Sequence, residues 1–150
     1  MAISDKENAF GEFVQQGFAA SPPLDVYESV YRVVLTAYSY RCALTGEQFQ
    51  RDVGLIHPHL EVIAIRPRDA GGPLQINNYL ALEEHAARAF VAGHVLVEDD
   101  YRVVVRNPDA LPRALAVRLH SSGRLVVPAE ALFQPSPAHL AFHRRSVLGA

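Results

Sequence analysis

Leu60-Glu61-Val62-Ile63-Ala64-Ile65-Arg66-Pro67, read on through Asp69-Ala70-Gly71-Gly72-Pro73, Asn77-Asn78-Tyr79-Leu80-Ala81-Leu82 and Glu83 to Gly93, decides the fold. Residues 60–65 are aliphatic and β-branched, the side chains that pack on a pleated surface, and Pro67 cannot donate to a ladder, so a strand ends there. The glycines and Pro73 make the following stretch a loop. Asn77 to Leu82 gives a short extended piece. From Glu83 to Ala92 the chain is Ala-rich, with acids in the first turn and Gly93 behind the last, the pattern of a helix with a glycine stop. Strand, loop, short strand and helix therefore follow within 34 residues.

Upstream, Asp25-x-x-Glu28 has the spacing of a capping box, and Val26, Val30, Val33, Val34, Ala37 and Tyr38 line one face of a helix over 26–39. Phe10, Phe13, Val14 and Phe18 recur at helical spacing, so 6–18 reads as an amphipathic helix ended by Gly17 and Ser21-Pro22-Pro23. Thr45-Gly46 is a turn and 47–59, with His57-Pro58-His59, is loop. Downstream, Val95-Leu96-Val97, the acidic turn Glu98-Asp99-Asp100 and Tyr101 to Val105 make a hairpin. Asp109 caps a helix at about 110–120, Arg124 to Val127 is a short strand, and Ser136-Pro137 starts a last helix as N-cap and first residue.

A chain of 150 residues with 49% hydrophobic and 20% charged side chains fits one globular core. Its apolar runs fall far short of the ~20 residues a bilayer demands, and its acidic N-terminus does not read as a secretory signal. Cys42 is the only cysteine, so no intrachain disulfide forms, and a bacterial-type cytoplasm is the expected location. The net charge of −2 is unevenly spread: residues 1–100 balance at −7 and residues 101–150 at +5. All but one of the 14 cations are Arg, whose planar fork suits phosphate, although coding bias yields the same choice. A pI near 6.4 means that any DNA contact comes from a local patch.

The order of elements over 60–105 resembles the ββα-metal core of the HNH endonuclease family. The likeness is carried by Arg41-Cys42-Ala43-Leu44-Thr45-Gly46, Leu60-Glu61-x-x-x-Ile65-x-Pro67, Gly72-Pro73, Asn78-x-Leu80-Ala81-Leu82, Phe90-x-x-Gly93 and Asp99-Asp100-Tyr101. The ending Leu140-Ala141-Phe142-His143-Arg144 resembles the C-terminal helix of a bacterial HNH subfamily, so the resemblance covers about 26–148. It implies an α+β domain with the ββα core at about 60–93, an HNH-like domain over 25–150 and a helical extension over 1–24.

In active members, the resemblance implies, a His at the end of the first strand activates water, a loop Asn holds geometry, and a helix His binds a divalent metal. Those positions here are Ala64, Asn78 and Ala87, and Val91 and Tyr79 stand where the family tends to carry Asp and Gly. A methyl group neither takes a proton nor ligates a metal. The site is thus expected to be vestigial, with no catalytic residue, metal or cofactor, and the protein a pseudoenzyme. Paired alanines look engineered, but Val91 and Tyr79 do not.

Other groups are poorly placed to stand in. His59 precedes Ala64 by an odd number of strand positions, and His85 lies roughly 200° around the helix from Ala87. His94 lies beyond Gly93, and His57 and Glu61 complete the candidates for rescue. His139-x-x-x-His143 has zinc-like spacing without a third ligand. Cys42 reads as a small buried side chain. Arg66, Arg68, Arg88, Arg144 and Arg145 are the candidate phosphate contacts, and Phe10, Phe13 and Phe18 a core face or dimer arm. Three functions follow: a degenerate HNH-like protein with a nucleic-acid-binding or regulatory role, an interaction or dimerisation module without DNA binding, or an active metal-dependent endonuclease with an unorthodox site. The implied partners are DNA, a second copy of the chain or another protein.

Overall fold

The valines of the first described helix, α1 (Leu24–Ala37), do not all face inward. In this computed structural model, which describes residues 24–52, 54 and 56–149, Val30, Val34 and Tyr38 recur every four residues and are buried with Leu35, while Val33 is 42% exposed. The helix expected over 6–18, its phenylalanine face, the extension up to residue 23 and the Asp25 side chain of the capping box lie outside the described residues. Beyond α1, Ser39 and Tyr40 adopt φ of 54° and 57°, and Tyr40 N–H donates to Leu35 O, which turns the chain back.

A bridge joins Arg41 to Gln48. The knuckle between them is held from two sides, since Ala43 N–H donates to Ala81 O and Val126 N–H donates to Ala43 O. Strands β1 (Leu60–Ala64) and β2 (Tyr79–Glu83) pair antiparallel, with Leu60 opposite Glu83 and Ala64 opposite Tyr79. Every residue of β2 is buried, which is why its sequence is a near-continuous apolar run rather than an alternation. Both α1 and α2 (Glu84–Ala92) pack on this sheet. Gly93, at φ 80°, ends α2, with Gly93 N–H donating to Phe90 O and His94 N–H to Ala89 O.

Strands β3 (Val95–Val97) and β4 (Val103–Val105) form the expected hairpin. Two expectations fail after it. The helix at 110–120 is only a 3-10 turn, Pro108–Ala110, and a short α3, Arg113–Ala116, because Pro112 holds Leu111 in an extended conformation between them. Asp109 makes no cap. The strand at 124–127 is a single bridge from Arg124 to Arg102, because this segment divides its bonds: Leu125 N–H goes to Tyr101 O and Val126 N–H to the knuckle. The last helix, α4 (Pro137–Leu148), starts as expected with Ser136 at the N-cap position, although the Ser136 side chain makes no cap bond.

Among the described residues, four helices and two small antiparallel sheets thus form one α+β domain around a core that includes Val34, Leu44, Leu80, Leu82, Phe90 and Leu140. Each such side chain contributes about 1.5–3 kcal/mol by leaving water. Among the described residues no helix is long and apolar enough to cross a membrane.

Candidate functional site

The loop between β1 and β2 is built around Asn78, which is wholly buried. Its Oδ1 accepts from Arg66 N–H at 2.9 Å, and its Nδ2 donates to Arg66 O at 3.0 Å and to Pro73 O at 3.1 Å. Ile65 N–H donates to Asn78 O, so the ladder gives way to side-chain bonds just beyond Ala64. Gly72 is required where the loop closes, since a Cβ there would lie 1.8 Å from Arg66 O.

This loop sets the mouth of a small cleft of about 120 Å³ at the Ala64 end of β1. Ala64 ends β1, Ile65 and Pro67 follow it, Phe90 and Val91 come from α2, and Phe142, His143, Ser146 and Val147 from α4. Ala64 and Val91 therefore meet across the cleft. Ala87 is 3% exposed and lies in the core, and Asn78 holds the loop. Helix α4 seats closely here, because a Cβ on Gly93 would meet Val147 Cγ1 at 2.6 Å.

His143 fastens α4 to α2. Its Nε2 lies 2.9 Å from Phe90 O and its ring stacks on Phe90, centroids 3.8 Å apart and planes 7° from parallel. A carbonyl can only accept, so Nε2 carries the proton and Nδ1 is left as a lone-pair acceptor, without a hydrogen-bond partner among the described residues. Burial holds the His143 pKa below the ordinary value; the Phe90 bond opposes this and nearby Arg144 adds to it. His139 is likewise lowered, first by burial and then by Arg66, and its Nδ1 has no partner among the described residues. The zinc-like His pair is thus occupied on one member by Phe90.

The residues present do not fit the divalent metal that the resemblance implies. Ala64, Ala87 and Val91 offer no ligand atom, Asn78 is committed to the loop, and His143 Nε2 to Phe90. Among the described residues no group of three His, Cys, Asp or Glu side chains could hold a metal ion.

The candidate phosphate contacts separate. Arg66 donates Nε–H to Ala70 O and lays its guanidinium over the Phe142 ring at 4.6 Å, beside α4. Arg144 is turned inward, donating to Val97 O at 2.7 Å and to Asp99 Oδ1 at 2.8 Å. Arg88 pairs with Glu84 on the exposed face of α2. Arg68 lies on the turn after β1, and Arg145 is exposed near the end of α4.

His57, His59, Glu61 and His85 gather elsewhere, around a pocket of about 660 Å³ at the Leu60 end of β1, and none of them lines the cleft beside Ala64. His57 is structural: Nε2–H donates to Gln50 O, while Nδ1 accepts from His59 N–H and Leu60 N–H. Glu83, which sequence reading placed simply in the first turn of α2, is instead its buried cap. Its two oxygens accept from His85 N–H at 3.1 Å and Ala86 N–H at 2.8 Å, and Arg118 approaches at 3.7 Å. Cys42 is buried, and its Sγ accepts from Glu83 N–H at 3.4 Å.

No family model matches the chain, and no curated protein matches it. Among solved structures it is similar to a modification dependent TagI restriction endonuclease, with a TM-score of 0.55 and 24% identity over 79% of this chain. The match spans 37% of that protein's length. At this identity the likeness is one of fold alone.

Proposed function

We propose that the chain is a catalytically degenerate HNH-like domain that retains a nucleic-acid-binding or regulatory role and needs no metal cofactor. The observation that carries this reading is the composition of the cleft at the end of β1. A hydrolytic site needs a base and a charge-stabilising ligand there, and this cleft presents Ala64 and Val91, while Ala87 is buried in the core. The similar solved structure is that of a restriction endonuclease, which supports descent from a DNA-cutting fold and the choice of DNA as the partner to test. Arg66, Arg68 and Arg145 are the phosphate contacts that this reading favours.

One observation favours a second reading, an interaction module without DNA binding. Arg144 and Arg88 are engaged by Asp99 and Glu84, which withdraws two of the five candidate cations from phosphate.

The test is cleavage and binding by the purified full chain. No cleavage of duplex or single-stranded DNA is expected with Mg²⁺, Mn²⁺, Ni²⁺ or Zn²⁺. Fluorescence anisotropy should show weak duplex binding at low salt, falling with a log–log slope of about −0.9 per phosphate contacted, and Arg66→Ala with Arg145→Ala should flatten that slope. Cleavage that is lost on mutating His57, His59 or His85 would overturn degeneracy. Absence of binding at low salt would put the interaction module first.

A further inference from the structure

A groove of about 550 Å³ runs beside α1, between that helix and the two 3-10 turns Ile76–Asn78 and Ala131–Phe133. Val30, Val33, Ile76, Leu132 and Phe133 give it an apolar lining, and no charged side chain lines it. Val33 is 42% exposed and Leu132 84%, so no described residue covers this face. A small-molecule pocket carries convergent polar groups that fix the ligand, whereas an amphipathic helix asks only for an apolar trough that takes anchors at i, i+3 and i+4.

The chain encodes such a helix directly upstream. The sequence predicts it over 6–18, where Phe10, Phe13, Val14 and Phe18 recur at that spacing, and Ala19 to Pro23 then lead into Leu24, the first residue of α1. Those five residues suit the short loop that joins two antiparallel helices. As a helix, 6–18 is about 20 Å long, against about 21 Å for the 14 residues of α1. Counted from the connection, Val30 and Val33 lie about 9 and 14 Å along α1, and Val14, Phe13 and Phe10 about 6, 8 and 12 Å along the segment. The two apolar rows come level.

A helix this short is marginal alone in water and needs a surface to fold against. Tethered to α1, it meets the groove at an effective concentration in the millimolar range, which a second copy would match only at a similar protein concentration.

We propose that residues 6–18 fold back antiparallel to α1 and seat Phe10, Phe13 and Val14 in this groove, which is thus an intramolecular dock for the chain's own N-terminal segment. The inference rests on the groove and the sequence that adjoins it, and is independent of the reading of the fold as a degenerate nuclease.

The full chain at micromolar concentration serves for the test. NMR should show NOEs from the Phe10 and Phe13 rings to the Val33 and Leu132 methyls, and a mixture of labelled and unlabelled chains should show none of these between chains. Val33→Asp places a charge in the groove. A glutamate-specific protease should then cut after Glu12 at least tenfold faster than in the unaltered chain, while the methyl resonances of Leu80 and Leu140 in the core stay in place. Should that variant fail to fold, Leu132→Asp, at a more exposed position, gives the same reading. The proposal is overturned if no ring-to-methyl NOE is seen, or if the charge leaves cleavage after Glu12 unchanged. It is equally overturned if the NOEs arise only between chains, which makes a second copy the occupant.

Discussion

At the Leu60 end of the β1–β2 hairpin, Glu83, Arg118 and His57 are tied into ion pairs and hydrogen bonds around an open polar pocket. At the Ala64 end, some 13 Å along the same strand at ~3.3 Å per residue, the side chains that line a smaller cleft are apolar but for His143 and Ser146. The difference teaches where histidine chemistry went. The chain has seven histidines, but those near the hairpin at its polar end include a buried one whose ring is taken up by backbone groups, and His143, which lines the cleft at the other end, gives its Nε2–H to Phe90 O. A count of histidines is thus no guide to free imidazoles; their hydrogen bonds are.

The largest effect that would break this comparison concerns Asn78. If its side chain is what holds the loop at the cleft end, Asn78→Ala leaves the Arg66 N–H and the Arg66 and Pro73 carbonyls without partners, a loss of about 3 kcal/mol at roughly 1–3 kcal/mol per buried group. Urea denaturation measures it, and a loss under about 1 kcal/mol would mean that the loop holds its shape by other means.

At the polar end, Glu83→Ala removes the cap of α2 and should cost about 1–2 kcal/mol, with Glu83→Gln retaining part of it through the amide oxygen. Hydrogen exchange sharpens the result, because the His85 and Ala86 amides should lose protection before those of the centre of α2.

The smallest effect is a pH dependence owed to the cleft side. His143 and His139 have folded pKa values below the ordinary 6.5, so the unfolded chain binds more protons than the folded one as acid is added. Their stabilising contribution is complete above 6.5 and is lost as pH falls below it. The urea midpoint should therefore drop between about pH 7.5 and about pH 5.5, and His143→Phe should shallow that drop. A midpoint that stays level across this interval would contradict the neutral, buried imidazoles.

The ββα core was legible because its signals are local. An apolar run ending at Arg66-Pro67, a glycine loop and a glycine-stopped Ala-rich helix place β1, β2 and α2 nearly to the residue. The helix expected over 110–120 overlooks a local signal, Pro112 within it, whereas the 124–127 segment is set from afar, sharing its bonds between the hairpin and the knuckle. Site residues followed the same rule. Ala64 and Val91, which the resemblance implies at one site, both line the cleft, whereas the inward turn of Arg144 depends on Val97 and Asp99, 47 and 45 residues away, and no local pattern carries it. Glu83 as a cap had a readable signal, an acid directly preceding the first helical residue, in a position where Ser or Asp is more usual.

The bond from His143 to Phe90 spans 53 residues of sequence, while the ββα unit it closes upon is contained within residues 60–93. Chain closure over such a distance is paid for only after local pairing is in place, so docking of α4 belongs to the late, slow part of assembly. The cleft has no α4 wall until that step is complete.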